Sequence, residues 1–305
     1  MSADAGRGSH AVGDAGGRAD VYGGDAASRP PVGSEGEPFT IAVMADAQYA
    51  DVATHGRRQY RDSLAKLTES VADCNERDLA FVVQLGDAID RDAGSFAPVQ
   101  EVFDDLRAPL YHVLGNHDYE VDDAVKAQVP ELLGMPAPYH AVTRPGWRFL
   151  ILDGNDVSTY AHPAGSDALR RSLAYRAEQA PDAPEWNGAI GAEQLAWLED
   201  QLDEAEEAGE RVVLFCHFPL RPADTHVLWN ADEVLAVLDR HPNVVAWING
   251  HNHRGGYVER NGVHHLTMHG MVDTDDNAYA FLRFTEQTLE VDGVGREENR
   301  CLVLP

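Results

Sequence analysis

The sequence has few lysines, few cysteines and no long hydrophobic segment. Lys66 and Lys126 are its only lysines, against 51 Asp and Glu residues in a 305-residue chain with a formal net charge of −27. Such a surface disfavours nonspecific binding to nucleic acid and to anionic membranes, which requires basic patches. No segment reaches the roughly 18 apolar residues of a membrane span, and the N-terminus lacks the apolar core of a secretory signal. We therefore expect a cytoplasmic protein that binds neither nucleic acid nor membranes.

The three cysteines, Cys74, Cys216 and Cys301, are odd in number and far apart in the sequence. They form no CxxC pair, so the pattern indicates neither a disulfide framework nor a cysteine zinc site. We expect buried free thiols.

The acidic charge has two interpretations. The favoured one is a halophilic surface, because screening within about 3 Å at 1 M salt removes most self-repulsion. The other is an ordinary acidic cytoplasmic protein.

The chain divides by composition into a tail and one domain. Residues 1–37 are rich in Gly, Ala, Asp and Ser and nearly free of large apolar side chains, so they cannot offset the entropy of ordering. We predict a disordered tail there. Residues 38–305 are expected to form a single domain, since a chain that is 44% hydrophobic can bury a large core.

Apolar runs of strand length alternate with helical patterns along this domain. Apolar residues from Tyr60 to Cys74 recur at steps of three and four, which predicts one buried face of a helix. Helices between buried strands are typical of a parallel sheet, so we predict an α/β fold. Residues 256–294, with turns such as Asn261-Gly262, are expected to complete a second sheet of a sandwich. The earlier strands are predicted at residues 39–44, 80–85, 111–114, 147–152, 211–216 and 244–249.

Polar side chains follow five of these strands, where each apolar run ends. An Asp or His in such a place is often only a turn former, but the carboxyl ends of parallel strands face one crevice, where the groups would meet. Carboxylate, amide and imidazole ligands without thiolate suit Mn, Fe or Zn. Seven candidates are too many for one ion, and two ions sharing a carboxylate, here Asp87, hydrolyse phosphate esters. The seven candidates are Asp46, Gln48, Asp87, Asn116, His217, His251 and His253.

Taken together, these blocks resemble those of the calcineurin-like metallophosphoesterases over residues 39–285. That family usually has a histidine two residues after the first aspartate, whereas this chain has Gln48. In having Gln48 at this position, and in the segments Trp186-Asn187-Gly188 and Trp229-Asn230, the chain resembles one branch of the family, the manganese-dependent ADP-ribose/CDP-alcohol diphosphatases. The blocks are Asp46-Ala47-Gln48, Gly86-Asp87-Ala88-Ile89-Asp90, Gly115-Asn116-His117-Asp118, Cys216-His217 and Gly250-His251-Asn252-His253.

The resemblance implies two mixed β-sheets packed together and flanked by helices, with a dimetal site at the strand ends. One ion would be held by Asp46, Gln48 and His253, the other by Asn116, His217 and His251, and Asp87 would bridge them. His117 corresponds to the catalytic histidine of the family. Manganese is the expected metal, because the neutral amide of Gln48 favours a harder ion, with Fe, Zn or Mg as alternatives.

The implied reaction is attack by a metal-bridging hydroxide on a nucleoside diphosphate linked to a sugar or alcohol, of the ADP-ribose, CDP-choline or CDP-glycerol type. Arg57, Arg58 and Arg61 are candidates for binding the second phosphate, or else solvated charges at the start of a helix. Residues 154–190 form a long connection, interpreted as a partly ordered loop facing the substrate. Further substrate-binding candidates are Trp186, Asn187, Phe218 and Trp229, although the aromatic residues suit core packing equally well.

Two other functions stay open at this stage. One is a phosphodiesterase or phosphomonoesterase of the same fold, acting on cyclic nucleotides, glycerophosphodiesters or simple phosphate esters. The other is a noncatalytic scaffold, which the complete ligand set and His117 argue against. The sequence predicts no particular oligomeric state.

Overall fold

Two mixed β-sheets form the centre of the computed structural model, which describes residues 36–305. Within that range each sheet has six strands, in the orders β12-β11-β10-β1-β2-β3 and β4-β5-β6-β7-β9-β8. The strands are β1 Phe39–Met44, β2 Val82–Gln84, β3 Leu110–His112, β4 His140–Arg144, β5 Trp147–Ile151, β6 Arg211–Phe215, β7 Val244–Asn249, β8 Arg254–Arg260, β9 Val263–His269, β10 Ala278–Phe284, β11 Thr288–Gly295 and β12 Arg300–Val303.

The predicted parallel strands do not all lie in one sheet. Strands β1, β2 and β3 are parallel neighbours in the first sheet, and β5, β6, β7 and β9 are parallel in the second. The last three strands return to the first sheet, where β10 pairs antiparallel with β1. The sequence prediction that residues 256–294 complete the second sheet is therefore correct for β8 and β9 and wrong for β10 and β11.

The central strands of each sheet are buried on both faces, which explains their unbroken apolar runs. Ile41 and Val43 of β1 point into the core between the sheets. Ala42 and Met44, one residue on, point to the outer face, where α1 packs through Leu67. This alternation is the two-residue period of a strand.

Helices cover the outer faces. Leu198 and Leu202 of α6 and Val234 of α7 pack on the second sheet. The helices are α1 Ser63–Asn75, α2 Phe96–Phe103, α3 Asp123–Lys126, α4 Val129–Leu132, α5 Asp167–Gln179, α6 Ala192–Ala208 and α7 Ala231–Leu238, with 3-10 turns at Ala93–Ser95 and His117–Tyr119.

Several local predictions need correction. The connection over residues 154–190 contains α5, whose N-terminus is capped by Ser166 through a 3.1 Å hydrogen bond from the Leu169 N–H. Helix α5 was not predicted because its sequence has a low mean hydropathy and no apolar stripe. In the structure Ser172 is its only buried residue. Strand β4 was not predicted. Cys74 and Cys216 are buried thiols as expected, whereas Cys301 is exposed on the edge strand β12.

Two further predictions concern membrane-spanning segments and the N-terminal tail. Within residues 36–305 none of the helices is both long and apolar enough to cross a bilayer. The predicted tail, residues 1–37, lies outside the described residues except for its last two, so it stays a prediction.

Candidate metal centre

The turns after β1 and β2 bring the first ligand candidates together in a strained backbone. Asp46, Gln48 and Asp87 have positive φ angles of 53°, 42° and 55°, a region that costs a non-glycine residue roughly 1–3 kcal/mol and occurs mostly at functional sites. The two turns are joined by hydrogen bonds from the Asp46 N–H to Gly86 O, 3.1 Å, and from the Gln48 N–H to Asp87 O, 2.8 Å. Strands β1 and β2 both end before these turns. The carboxylates of Asp46 and Asp87 therefore lie just beyond the carboxyl ends of the two strands.

The turn after β3 approaches Asp87 so closely that only glycine fits. A Cβ atom on Gly115 would lie 2.1 Å from Oδ1 of Asp87. The neighbouring His117 N–H donates to that same oxygen at 2.8 Å. The glycine therefore lets the turn that carries Asn116 and His117 approach the Asp87 carboxylate.

The carboxylate of Asp118 links the turn after β2 to the turn after β3. Its two oxygens accept hydrogen bonds from the main-chain N–H groups of Gly115 (2.8 Å), Asp87 (3.0 Å), Ala88 (2.8 Å) and Ile89 (3.3 Å). Asp118 is fully buried. Asp118 lies in the motif Gly115-Asn116-His117-Asp118 and had no predicted role, although a buried aspartate beside a tight turn is the usual partner of free N–H groups.

The first cluster combines two carboxylates, an amide and an imidazole. Nε2 of His253 lies 3.4 Å from Oδ1 of Asp46 and 3.3 Å from Nε2 of Gln48. The Gln48 amide also donates to Oδ2 of Asp87 at 3.0 Å. Ligand atoms of Asp46, Asp87 and His253 all lie within 4.8 Å of one another, which is close enough to hold one cation.

The second cluster shares Asp87 with the first. Nε2 of His217 lies 3.3 Å from Oδ2 of Asp87 and 3.2 Å from Nδ1 of His251. These three residues again have ligand atoms within 4.8 Å of one another. The structure thus brings six of the seven predicted ligands together in two groups with Asp87 common to both, and Asn116 lies on the turn whose His117 N–H contacts Asp87.

Each histidine is oriented by an oxygen acceptor on its outer side. Nδ1 of His217 lies 2.8 Å from Leu85 O, Nε2 of His251 lies 2.9 Å from Oδ1 of Asn187, and Nδ1 of His253 lies 3.2 Å from Oδ1 of Asp273. A neutral imidazole with its hydrogen on this outer nitrogen keeps a lone pair on the inner nitrogen. In that tautomer the inner nitrogens of all three rings present lone pairs to the clusters.

Among residues 36–305, two buried amide oxygens lack hydrogen-bond partners, which indicates whether the site could accept a cation. Within the described residues, Oε1 of Gln48 and Oδ1 of Asn116 have no hydrogen-bond partner. Buried oxygens of this kind are usually satisfied by a donor, water or ion. Both belong to the predicted neutral ligands, and rotating the Gln48 amide by half a turn exchanges its oxygen with the nitrogen that now faces Asp87 and His253. The donor set therefore fits two divalent cations.

The electrostatics of the clusters follow from burial and mutual contact. Burial alone would raise the pKa of Asp87, but the facing His217 and His117 hold it below its usual range. Burial lowers the pKa of His217 and Asp87 more than compensates, giving about 9. Burial and the neighbouring His217 lower the pKa of His251. Asp87 is therefore ionised at neutral pH, the form in which a carboxylate binds cations.

His117 stands beside this centre on the 3-10 turn. Its Nδ1 lies 3.3 Å from Oδ1 of Asp90 and 3.0 Å from Oε1 of Glu120. Burial opposes a charge on the ring, but Asp87 and the carboxylates of Asp90 and Glu120 raise the pKa of His117 well above its usual value. The imidazole is thus held where it can carry a proton.

The three candidate arginines differ in position. Arg57 lies 3.7 Å from Asp273, and Arg61 pairs with Asp51 on the surface. Burial would lower the pKa of Arg58, but Tyr60, Asp87 and Asp90 raise it. Arg58 is thus half-buried beside the carboxylates, and among residues 36–305 it forms no salt bridge.

The other predicted substrate residues are used differently. Nδ2 of Asn187 donates to Thr225 O (2.8 Å) and Val227 O (2.9 Å), so with the His251 contact all its side-chain polar atoms are engaged inside the protein. These contacts favour a supporting role over the predicted contact with substrate. The Trp229 ring nitrogen donates to Pro184 O at 3.0 Å. Phe218 is fully buried, whereas Trp186, next to Asn187, is 50% exposed.

Comparison with known proteins agrees with this geometry. The family model of the calcineurin-like phosphoesterases matches residues 39–255. The manganese-dependent ADP-ribose/CDP-alcohol diphosphatase of Oryza sativa is 31% identical over 84% of this chain and 88% of its own length. The protein of the same name in Xenopus tropicalis is 31% identical over 87% and 94%. The crystal structure of a dimetal phosphatase from Danio rerio superposes with a TM-score of 0.79 and 26% identity, covering 88% of this chain and 99% of that one.

Proposed function

The chain belongs to the calcineurin-like phosphoesterase family, and from that premise we propose that it cleaves the diphosphate bond of nucleoside diphosphates linked to a sugar or an alcohol. The products are a nucleoside monophosphate and a phosphorylated sugar or alcohol. The cofactors are two divalent cations, with manganese as the preferred metal. The observation that carries this proposal is the pair of ligand clusters that share Asp87.

The substrate class is supported by two observations. The relatives named as ADP-ribose/CDP-alcohol diphosphatases match most of the chain. Arg58, a half-buried cation beside the clusters, is a candidate for binding the second phosphate bidentately. A phosphomonoester has no second phosphate, so Arg58 favours a diphosphate over it.

The chain's own residues take distinct parts in the proposed mechanism. Asp46, Gln48 and His253 would hold one cation and Asn116, His217 and His251 would hold the other, with Asp87 common to both sets. When bound, the cations supply an activated water and neutralise charge on the phosphate. Carboxylate oxygens of Asp90 and Glu120 lie 3.3 Å and 3.0 Å from His117 Nδ1, which leaves Nε2 to donate a hydrogen bond to a phosphoryl oxygen or a proton to the leaving group.

A binding surface for the base is proposed at Trp186. Trp186 is half exposed and precedes Asn187, whose side chain touches His251. An exposed indole is suited to stacking a nucleobase. On this proposal the connection over residues 154–190 supplies both a residue that supports His251 and a residue that binds the base.

A substrate panel tests the proposal. Purified protein supplied with Mn²⁺ is assayed with ADP-ribose, CDP-choline, cyclic AMP and an aryl phosphate, with Asp87→Asn as the inactive control. We expect the two diphosphates to be hydrolysed fastest, with a nucleoside monophosphate as product. Preference for cyclic AMP or the aryl phosphate would indicate a phosphodiesterase or phosphomonoesterase, and no hydrolysis at all would indicate a scaffold.

The surroundings of the enzyme are also part of the proposal. A halophilic surface is supported by the net charge of −27 and the presence of only two lysines. A cytoplasmic location without nucleic-acid or membrane partners is supported by the same composition. Assaying the panel at about 0.1 M and about 1 M KCl tests the first of these, since the Debye length falls from about 10 Å to about 3 Å.

A further inference from the structure

Lys66 is a buried lysine on α1 whose ammonium group binds main-chain carbonyls. Only 7% of the residue is exposed. The ammonium donates to Met271 O, to Thr274 O at 2.8 Å and to Asp273 O at 3.5 Å. All three acceptors belong to the loop after β9, so the three ammonium hydrogens are directed into one loop. Burying a lysine in this way is costly without such partners.

The same loop is fastened to the turn that carries the ligand Asp46. The Met271 N–H donates to Ala45 O and the Val272 N–H to Asp46 O, both at 2.9 Å. The Thr274 N–H donates to Arg57 O at 2.8 Å. The Met271 and Val272 N–H groups therefore tie the loop to the turn that carries Asp46, while the carbonyls of Met271, Asp273 and Thr274 accept from Lys66.

The loop also supplies the carboxylate that orients His253. Oδ1 of Asp273 lies 3.2 Å from Nδ1 of His253. Gly270 packs so tightly that a Cβ on it would lie 2.5 Å from Cγ of the His253 ring. A shift of this loop would therefore move both the imidazole and its partner.

We propose that Lys66 is a positioning residue for the first cluster, in which Asp46, Gln48 and His253 accompany the shared Asp87. Its ammonium group fixes the loop of residues 270–275, the loop fixes Asp273, and Asp273 holds the inner nitrogen of His253 towards the cation. The second cluster is backed by Leu85 O and Asn187 instead. Loss of Lys66 therefore weakens one cation and spares the other.

The sign of the effect separates positioning from simple electrostatics. Lys66 carries a positive charge, and removing a positive charge near a cation site strengthens cation binding. Positioning predicts the opposite, because Asp273 and His253 lose their alignment. Partners of metal-binding histidines typically contribute 10- to 100-fold in metal affinity, roughly.

The test is a Mn²⁺ titration of the full-length protein, in which the EPR signal of free Mn²⁺ is followed. We expect wild type to bind two cations, and Lys66→Met to bind one of them about 10- to 100-fold more weakly with the other within about twofold. The matched control is Lys126→Met, which removes the only other lysine, paired with Asp123 at 2.8 Å. Unchanged or tighter binding of both cations by Lys66→Met would overturn the proposal.

A second variant keeps the test decisive if Lys66→Met folds poorly. Asp273→Asn leaves α1 and Lys66 intact, and we expect it to weaken the same single cation. In the double variant the two losses should not add, because both act through His253. Additive losses, or an Asp273→Asn protein that binds both cations like wild type, would refute the proposal. The inference rests on the proposed dimetal site, but the titration uses no substrate, so a wrong substrate class would leave its result unaffected.

Discussion

Oδ1 of Asn187 lies 2.9 Å from Nε2 of His251, so an asparagine from the long connection orients a histidine from the turn after β7. The Asn187 amide nitrogen is held by two carbonyls, which fixes its oxygen as the acceptor. His251 must then carry its hydrogen on Nε2 and present the Nδ1 lone pair to His217 and Asp87. A residue remote in sequence thereby sets the tautomer of a proposed metal ligand.

Replacing Asn187 by Ala should weaken metal binding at the second cluster. Without an acceptor at Nε2, His251 is free to take the other tautomer or rotate, and we expect a loss of about 10- to 100-fold in Mn²⁺ affinity for one cation. Calorimetric titration measures it. The control is Asn243→Ala, whose side chain donates to Glu210 O outside the clusters. Equal affinities in the Asn187 variant and wild type would exclude this role.

Replacing His117 by Ala should separate catalysis from metal binding. Its side chain contacts Asp90 and Glu120 and is not one of the proposed ligands. We expect both cations to bind as in wild type while kcat falls by about 10² to 10⁴, the range of one acid–base group. Asn116→Ala, next in the chain, should instead weaken metal binding. An unchanged kcat would remove His117 from the mechanism.

Replacing Asp118 by Asn should destabilise the fold. The carboxylate accepts from four main-chain N–H groups, whereas an amide directs its own N–H₂ at some of them. Each donor left unpaired costs about 1–3 kcal/mol. Denaturant unfolding should show that loss, and Asp122→Asn on the surface should not. A stability equal to wild type would mean that the turns do not depend on Asp118.

Protonation of His112 should contribute to acid unfolding. Burial lowers the pKa of this histidine to about 3, below its unfolded value of about 6.5. Between these values the unfolded chain binds the proton and the folded one does not, so stability falls as pH drops from about 6.5 towards 3.

The measurement is the free energy of unfolding against pH for wild type and His112→Gln. The wild-type slope should be steeper by up to about 1.4 kcal/mol per pH unit in this window. The exposed His55→Gln serves as control. Parallel curves for wild type and His112→Gln would contradict the buried neutral state of His112.

The strands and the ligand types were predictable because both are local features. Apolar runs end shortly before Asp46, Asp87, His217 and His251. A polar residue that follows an apolar run can be recognised in the sequence without knowing which residues it contacts in the folded protein. The division of these strands between two sheets was not predictable. It depends on β10 returning to pair with β1, a contact between residues more than 200 positions apart.

The supporting residues were missed for the same reason. Asp273 and Lys66 act through the loop after β9, and nothing in their neighbouring sequence indicates a contact with His253. Asn187 was singled out through the family resemblance, but its orienting contact with His251 could be seen only in three dimensions. Asp118 lies within a recognised motif, and its role required knowing which N–H groups the turns leave free.

The most direct test of the central claim, that Asp87 is shared by two cations, is anomalous diffraction at the manganese edge from Mn²⁺-loaded crystals. We predict two peaks about 3.5–4 Å apart, one on each side of the Asp87 carboxylate, with Gln48 and Asn116 directing their oxygens at different peaks. A single peak, or two peaks that Asp87 does not touch, would contradict the shared site.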